Sequence, residues 1–310
     1  MHDVRAIAQL NVDILFSGFG GYPNLGEEVF ARDFDIQLGG GPQTISLILH
    51  KLKVPTSFGT FYTDDIQSKL ALELMKTYGY TSYKNLYRGS EHPTVVTSVL
   101  SFDTDRSFIA YNEGASENNL SDEELYAFLN GAKICFAPNN VSVLKRLRAN
   151  GTIIVFDTGW SDDLSIDKYG HILPFVDVFT PNDKEALKMT GTNNPIDALM
   201  VLKEYVSNPI IKIGQHGCMS IINGEVVTVP AIDDFVCVDT TGAGDNFLAG
   251  VVFGLYHGWS LGKCMEMGNV TGGYSTTELG CLKANITYEK AMNFMEKYYG
   301  VPGGTYVDVV

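Results

Sequence analysis

Asp239-Thr240-Thr241-Gly242-Ala243-Gly244-Asp245 stands between a strand-like run, Phe235 to Val238, and an apolar helical pattern carrying Phe247, Leu248, Val251, Val252 and Leu255. The small residues Gly242, Ala243 and Gly244 let an anion come close to the backbone. Unpaired N–H groups and the positive end of the helix would meet it there, so the segment reads as an anion hole of the kind that holds phosphate. Asp245, at the edge of that hole, stands where a carboxylate could take a proton from a hydroxyl attacking a bound phosphorus. The same residues also read as a helix cap with glycines for tight packing, and this stretch alone does not choose between the two.

Upstream the pattern alternates. Strand-like Ser57 to Phe61 precedes a helix over Asp65 to Tyr78, Ile134 to Ala137 precedes Val141 to Arg148, and Thr152 to Phe156 follows. Val176 to Phe179 precedes a helix beginning near Asn182, and Ile210 to Ile213 follows one with Leu199, Leu202 and Val206 on one face. Strand and helix in alternation predict a parallel sheet wrapped by helices. Cys218 to Ile222 and Glu225 to Val229 flank Asn223-Gly224, a type I′ hairpin signal. Downstream, helical patterns over Phe247 to His257, Leu261 to Ser275 and Tyr288 to Tyr299 close the chain.

Near the start, Ile7 to Phe16 reads as one buried strand and gives way to a glycine-rich stretch through Gly26. Phe30, Phe34, Ile36 and Leu38 then fall largely on one face at period two. Thr94 to Phe102, a turn at Asp103, Thr104 and Asp105, and Ser107 to Tyr111 read as a hairpin. These two pieces, about 14–38 and 94–112, predict a small sheet standing off the main body. With no repeat or dividing linker, 1–310 reads as one α/β domain carrying a β-rich lid.

The 310 residues are 45% hydrophobic and 19% charged, enough for a large core and too apolar for disorder. Twenty-two basic against 36 acidic side chains leave a net charge of −14, which repels phosphate backbones and anionic lipid. Nucleic acid and membranes are therefore not expected partners. No run is long enough for a spanning helix and Met1 to Arg5 lacks a signal-peptide profile, so a cytoplasmic location is expected. The five scattered cysteines, Cys135, Cys218, Cys237, Cys264 and Cys281, read as buried reduced thiols. Six dispersed histidines without i, i+4 pairing give no zinc site.

Asp239 to Asp245 matches without exception the DTxGAGD signature of the ribokinase-like, or PfkB, carbohydrate kinases. Two further family motifs occur in order: a double glycine before a small-residue helix, as Gly39-Gly40-Gly41-Pro42, and PNxxE, as Pro181-Asn182-Asp183-Lys184-Glu185. On these three motifs the chain resembles that family over nearly its whole length. The resemblance implies a doubly wound, mostly parallel sheet flanked by helices with a small protruding β-sheet lid. It also implies ATP and Mg²⁺, transfer to a sugar or nucleoside hydroxyl, and a homodimer joined through the lid.

Carried over by position, Asp245 would be the general base, and Gly242, Ala243 and Gly244 the anion hole. Asn11, Asp13, Gly39 and Gly40 would bind substrate hydroxyls, since a carboxylate accepts two hydroxyl hydrogen bonds at once. Asn182 and Glu185 would act on Mg²⁺ through its waters, and Asn182, Lys212, Gly214, Gly217 and Asn269 would hold the nucleotide. Asn182 and Glu185 also read as a helix capping box, and both readings can hold together. Asp239 and the loop through Gly280 would hold K⁺.

The chain departs from the family at Thr44, where an asparagine that helps bind substrate is common; a hydroxyl there would still donate or accept to the substrate but reaches less far than an amide. Tyr111-Asn112 lacks the arginine that some acid-sugar kinases carry, and basic residues near the lid are few, Arg32 and Arg106 among them. A neutral sugar is therefore expected ahead of a sugar phosphate, with nucleoside and sugar-acid kinases as alternatives. From another class, a non-catalytic sugar or nucleotide sensor would need no base at Asp245. Gly18-Phe19-Gly20 fails as a dinucleotide fingerprint because Pro23 takes the third glycine position, and no GxxxxGK[ST] occurs.

Overall fold

A computed structural model describes residues 3–102, 106–112, 116 and 119–300. The chain opens with β1 (Val4–Ile7), β2 (Asn11–Ser17), β3 (Asp33–Leu38), α1 (Gly41–Lys51), β4 (Thr56–Thr60), α2 (Ile66–Thr77) and β5 (Tyr83–Asn85). It continues with β6 (Val95–Ser101), β7 (Arg106–Tyr111), α3 (Asp122–Leu129), β8 (Ile134–Phe136), α4 (Val141–Ala149), β9 (Ile153–Phe156), α5 (Ile166–Tyr169) and β10 (Val178–Phe179). It closes with α6 (Asp183–Thr190), α7 (Pro195–Lys203), β11 (Asn208–Lys212), β12 (Cys218–Ile222), β13 (Glu225–Val229), α8 (Ala243–Tyr256), α9 (Leu261–Ser275) and α10 (Tyr288–Tyr299).

Nine strands form the large sheet in the order β13-β12-β11-β10-β9-β8-β1-β4-β5, and β3-β2-β6-β7 form the smaller one. All pairs from β11 to β5 are parallel, whereas β12 and β13 extend the edge as an antiparallel hairpin. Its turn is the expected one, with Asn223 and Gly224 both at positive φ. Two apolar clusters cover the two faces of the sheet. One joins α1, α2, α8, α9 and α10 to it, and the other joins α3, α4, α6 and α7. Helices on both faces of a parallel sheet make the fold doubly wound.

Local chemistry explains the elements that carry the site. Asn182 caps α6 in a reciprocal capping box with Glu185, and Asp65 caps α2 through the Ser68 N–H. Helix α8 is apolar nearly all round because it runs buried between α1 and α9. Its contact with α9 is close: a Cβ at Gly254 would lie 2.7 Å from the Cys264 Sγ, and one at Gly268 would lie 2.7 Å from the Phe247 ring. That packing holds the first turn of α8, where the signature ends, at a fixed place over the sheet.

Four expectations are corrected. The run Ile7 to Phe16 is two strands rather than one, broken at 8–10 where the chain leaves the large sheet for the smaller. Both halves are apolar, and period alone does not mark a change of sheet. Phe30 precedes β3 and lies 80% exposed, so the period-two face begins at Phe34. Phe235 to Val238 is irregular, with Val236 and Val238 mostly exposed, because no neighbouring strand offers a ladder there. Cys237 in that segment is exposed, while the other four thiols are buried. The turn at Asp103, Thr104 and Asp105 lies outside the described residues, although the hairpin it would join, β6 with β7, is present. Among the described residues no helix is long and apolar enough to cross a membrane.

Candidate active site

The strands β1, β8, β9, β10 and β11 are parallel, so their carboxyl ends share one edge, the usual place for a ligand in such a sheet. Asp157 follows β9, Asn182 and Glu185 follow β10, and Lys212 ends β11 on that edge. Opposite them stands the smaller sheet. Its register pairs Asp13 with Gln37 on one side and with Thr97 on the other, so these polar residues share one face. The other face carries Phe16, Phe34, Ile14 and Ile36, and β7 adds Ile109 and Tyr111 to it.

Asn11 and Asp13 reach the site at the root of β2. The Gln43 side chain receives the Asn11 N–H at 3.1 Å and donates to its carbonyl at 3.2 Å, which ties β2 to α1. The missing side chain of Gly39 leaves room for the Asp13 carboxylate, with which a Cβ would collide, and a Cβ at Gly40 would come 3.2 Å from the Asn11 Cβ. Burial pushes the Asp13 carboxyl up to about 6 against the hydrogen bond from Thr97.

The signature loop is held on three sides. Asp239 accepts the Thr241 N–H at 3.0 Å and its hydroxyl at 2.7 Å through one oxygen, and the Gly280 N–H at 2.8 Å through the other. Asn246 donates to the carbonyls of Gly242 and Cys281, both at 2.9 Å. Gly242 caps α8 at φ 70°, where a side chain is strained, and a Cβ there would run into Cys281. The first turn of α8 thus presents backbone N–H groups toward the edge of the sheet.

Asp245 lies in that first turn and lines a cleft of about 460 Å³ together with Gly41, Pro42, Phe136, Phe156 and Asp157. A Cβ at Gly41 would come 2.9 Å from the Asp245 Oδ1, so the double-glycine motif clears the way for this carboxylate. Burial pushes the Asp245 carboxyl up to about 7; Asp157, Glu185 and Asp13 add to the rise and Lys212 opposes it. Lys212 Nζ is 2.7 Å from the Asp157 Oδ2 and both side chains are mostly buried. Burial also raises Asp157 and Glu185, in each case against Lys212.

The remaining expected residues fall in two places. Gly214 and Gly217 bound the turn after β11, and a side chain at Gly217 would strike the Val229 carbonyl. Asn269 donates to the carbonyls of Val229 at 3.0 Å and Pro230 at 2.9 Å, shaping the same edge. Thr44 is fully buried, its hydroxyl 3.6 Å from the Cys281 Sγ, and so faces the core rather than the cleft. Among the described residues no group of three or more His, Cys, Asp or Glu side chains forms a metal cage.

A pfkB family carbohydrate kinase model matches residues 4–287. The chain belongs to the PfkB family of carbohydrate kinases. It is thereby an ATP-dependent carbohydrate kinase. Its relatives are distant: a 5-dehydro-2-deoxygluconokinase of Geobacillus thermodenitrificans is 21% identical over 287 residues, 85% of each chain. A ribokinase of Arabidopsis thaliana is 24% identical over 263 residues, 79% of this chain and 68% of that one. The structure of Arabidopsis thaliana ribokinase complexed with ribose and ATP superposes with a TM-score of 0.80 at 21% identity, covering 96% of this chain and 99% of that one. These likenesses show the PfkB fold here and leave the acceptor to the chain's own site.

Several residues that the structure sets beside the expected site residues do not stand out in the sequence. Asp157 carries a signal, an acid directly after a predicted strand with Thr158-Gly159 behind it, but many parallel strands end in an acid. Thr97 and Gln37 carry none, since their place beside Asp13 depends on the register of three strands distant in sequence. Gln43, inside α1, reads as an ordinary helix residue.

Proposed function

We propose that this kinase transfers the γ-phosphoryl group of ATP to a hydroxyl of a neutral sugar or related small molecule, with Asp245 as general base. The observation that carries the reading is the Asp245 carboxyl, held at about 7 in the cleft beside the first turn of α8. A base of that strength shares its proton evenly near neutral pH, which suits proton abstraction from an alcohol. Asn11, Asp13 and the Gly39-Gly40 backbone receive the other hydroxyls and aim one of them at the anion hole. Gly242, Ala243 and Gly244 hold the phosphoryl oxygens with backbone N–H groups. Gly214, Gly217 and the edge shaped by Asn269 take the rest of the nucleotide, and Lys212 stands at its γ-phosphate end.

The residues present fit a Mg²⁺ ion that keeps its water. Asn182 and Glu185 are engaged with each other in the capping box, at 2.8 and 2.9 Å, and are positioned to receive the ion's waters rather than to coordinate it directly. When bound, the ion neutralises phosphate charge. Asp239 and Gly280, joined by their hydrogen bond, are where K⁺ would act on the signature loop, and turnover in K⁺ against Na⁺ buffer tests that role.

The smaller sheet acts as a lid over the acceptor, formed by about 14–38 and 94–112 on a single domain. It closes about Gly39 to Gly41 and keeps water from the transferred group; Gly114, which could serve as a hinge instead, lies outside the described residues. Its outer face leaves Phe34 61% and Ile109 67% exposed, which supports pairing of two lids in a homodimer. A neutral acceptor follows from a floor of Asp13, Asn11 and glycines with little positive charge. A panel of sugars, nucleosides, sugar acids and sugar phosphates, scored by ADP release, tests the assignment; a clear preference for a sugar phosphate refutes it.

A further inference from the structure

Lys212 reaches the first turn of α8, where Asp245 lies. Its Nζ bonds the Asp157 Oδ2 at 2.7 Å and would lie 3.0 Å from a Cβ on Gly244, so it already rests against the first turn of α8. The backbone of Lys212 pairs with that of Asn182, and its N–H donates to the Pro181 carbonyl at 2.9 Å, which anchors the stem at the carboxyl end of β11. The charges that act most on Asp245 are Asp157, Lys212, Glu185 and Asp13, and of these Lys212 alone is positive. A phosphoryl group entering this cluster of carboxylates brings more negative charge to a place where, beside Lys212, only the backbone dipoles and a bound Mg²⁺ would attract it.

We propose that Lys212 is a catalytic cation that changes partners during the reaction: held by Asp157 in the resting enzyme, it turns to the oxygens of the γ-phosphoryl group in transit over Gly242 to Gly244. The inference rests on the kinase reading above. A lysine suits the task because its compact ammonium has three donors on a flexible stem, and so can leave one carboxylate for a phosphoryl oxygen a short way off. Asp157 keeps the Thr158 N–H at 2.9 Å on its other oxygen when Lys212 turns away. In the transfer the acceptor oxygen bonds to the γ-phosphorus, and the bond to the β,γ-bridging oxygen breaks with its electron pair going to ADP. The hydroxyl proton goes to Asp245. Lys212 takes no part in the proton transfer and exchanges only hydrogen bonds.

Such a cation binds the travelling group more strongly than the ground state, so it should show in the affinity for a transition-state mimic rather than for ADP. The test measures Mg·ADP binding with and without aluminium fluoride, a planar stand-in for the phosphoryl group, and needs no acceptor. Aluminium fluoride should tighten ADP on the wild type and on Lys212→Arg. On Lys212→Met the tightening should shrink by about tenfold or more, while affinity for ADP alone changes by less than about threefold. Removing Lys212 strands a buried carboxylate, which can weaken the fold, so the double variant Lys212→Met, Asp157→Asn is measured beside it. That variant should regain the wild-type melting temperature without regaining the tightening. Full tightening on either variant, or an equal loss for ADP alone, overturns the role of Lys212. Absence of tightening on the wild type sinks the kinase reading itself, and the inference with it.

Discussion

Replacing Asp245 by Asn should make the protein more stable and nearly inactive. The carboxyl stands at about 7 in the folded chain against an ordinary 3.8, because burial and the Asp157, Glu185 and Asp13 carboxylates disfavour its charge. The folded chain therefore holds a proton that the unfolded chain has released. Below about pH 4 both states are protonated and Asp245 contributes no pH dependence; from there upward through about 7 its ionisation progressively destabilises the fold. The destabilisation levels off above the folded value, at an order of 2–4 kcal/mol, since each pKa unit is about 1.4 kcal/mol and Lys212 and residual solvent reduce the full figure. The asparagine is neutral at every pH and nearly the same shape, so it removes that load. At pH 8 the variant should melt about 5 °C or more above the wild type, and the gap should narrow steadily as the pH falls toward 4. Turnover should fall by about 10²-fold or more, because no carboxylate is left to accept the proton. Melting curves from pH 4 to 8.5 and turnover on the acceptor found by the panel check both halves. A folded variant that turns over like the wild type would falsify the role of Asp245 as base, and a stability gap that ignores pH would mean that its charge is not crowded.

The same carboxyl predicts that kcat/KM falls about tenfold per pH unit below about 7, and Asp157→Asn should move this limb to lower pH by removing a neighbouring negative charge; an unmoved limb counts against the cluster. Gly39→Ala should raise KM for the acceptor, because the new Cβ displaces the Asp13 carboxylate, while ATP affinity stays within about threefold. Gly242→Val should cost both nucleotide affinity and stability, since it combines strain at φ 70° with a collision on Cys281; a variant with wild-type melting and ATP binding speaks against the geometry of the loop. Light scattering at micromolar concentration should give a dimer that Phe34→Glu with Ile109→Glu converts to monomer, and a wild-type monomer refutes lid pairing.

Much of the molecule follows from local chemistry, and those parts are legible in the chain itself. The hairpin at Asn223-Gly224 forms where two adjacent residues tolerate positive φ between apolar runs. Helices α9 and α10 span the predicted residues, beginning where Ser260 and Thr287 cap them and ending at Thr276 and Gly300. The capping box of Asn182 and Glu185, and the glycines around Asp245, are short-range patterns of the same kind.

What the chain does not disclose lies at longer range. Whether Ile7 to Phe16 is one strand or two depends on which sheets stand ready to pair with it, and both halves are equally apolar. The same segment places Asp13 next to Thr97 and Gln37 only because β2 takes β6 and β3 as neighbours in one register. Asp245 is an ordinary carboxyl in sequence. Its strength as a base arises when the carboxyl edges of β9, β10 and β11 bring Asp157, Glu185 and Lys212 around it and the smaller sheet adds Asp13. Residue type and spacing determined that the signature loop could hold an anion, because helix starts and small residues act within one turn. Charge acts through space, so only the tertiary structure decided which carboxylates crowd Asp245 and which single lysine relieves them.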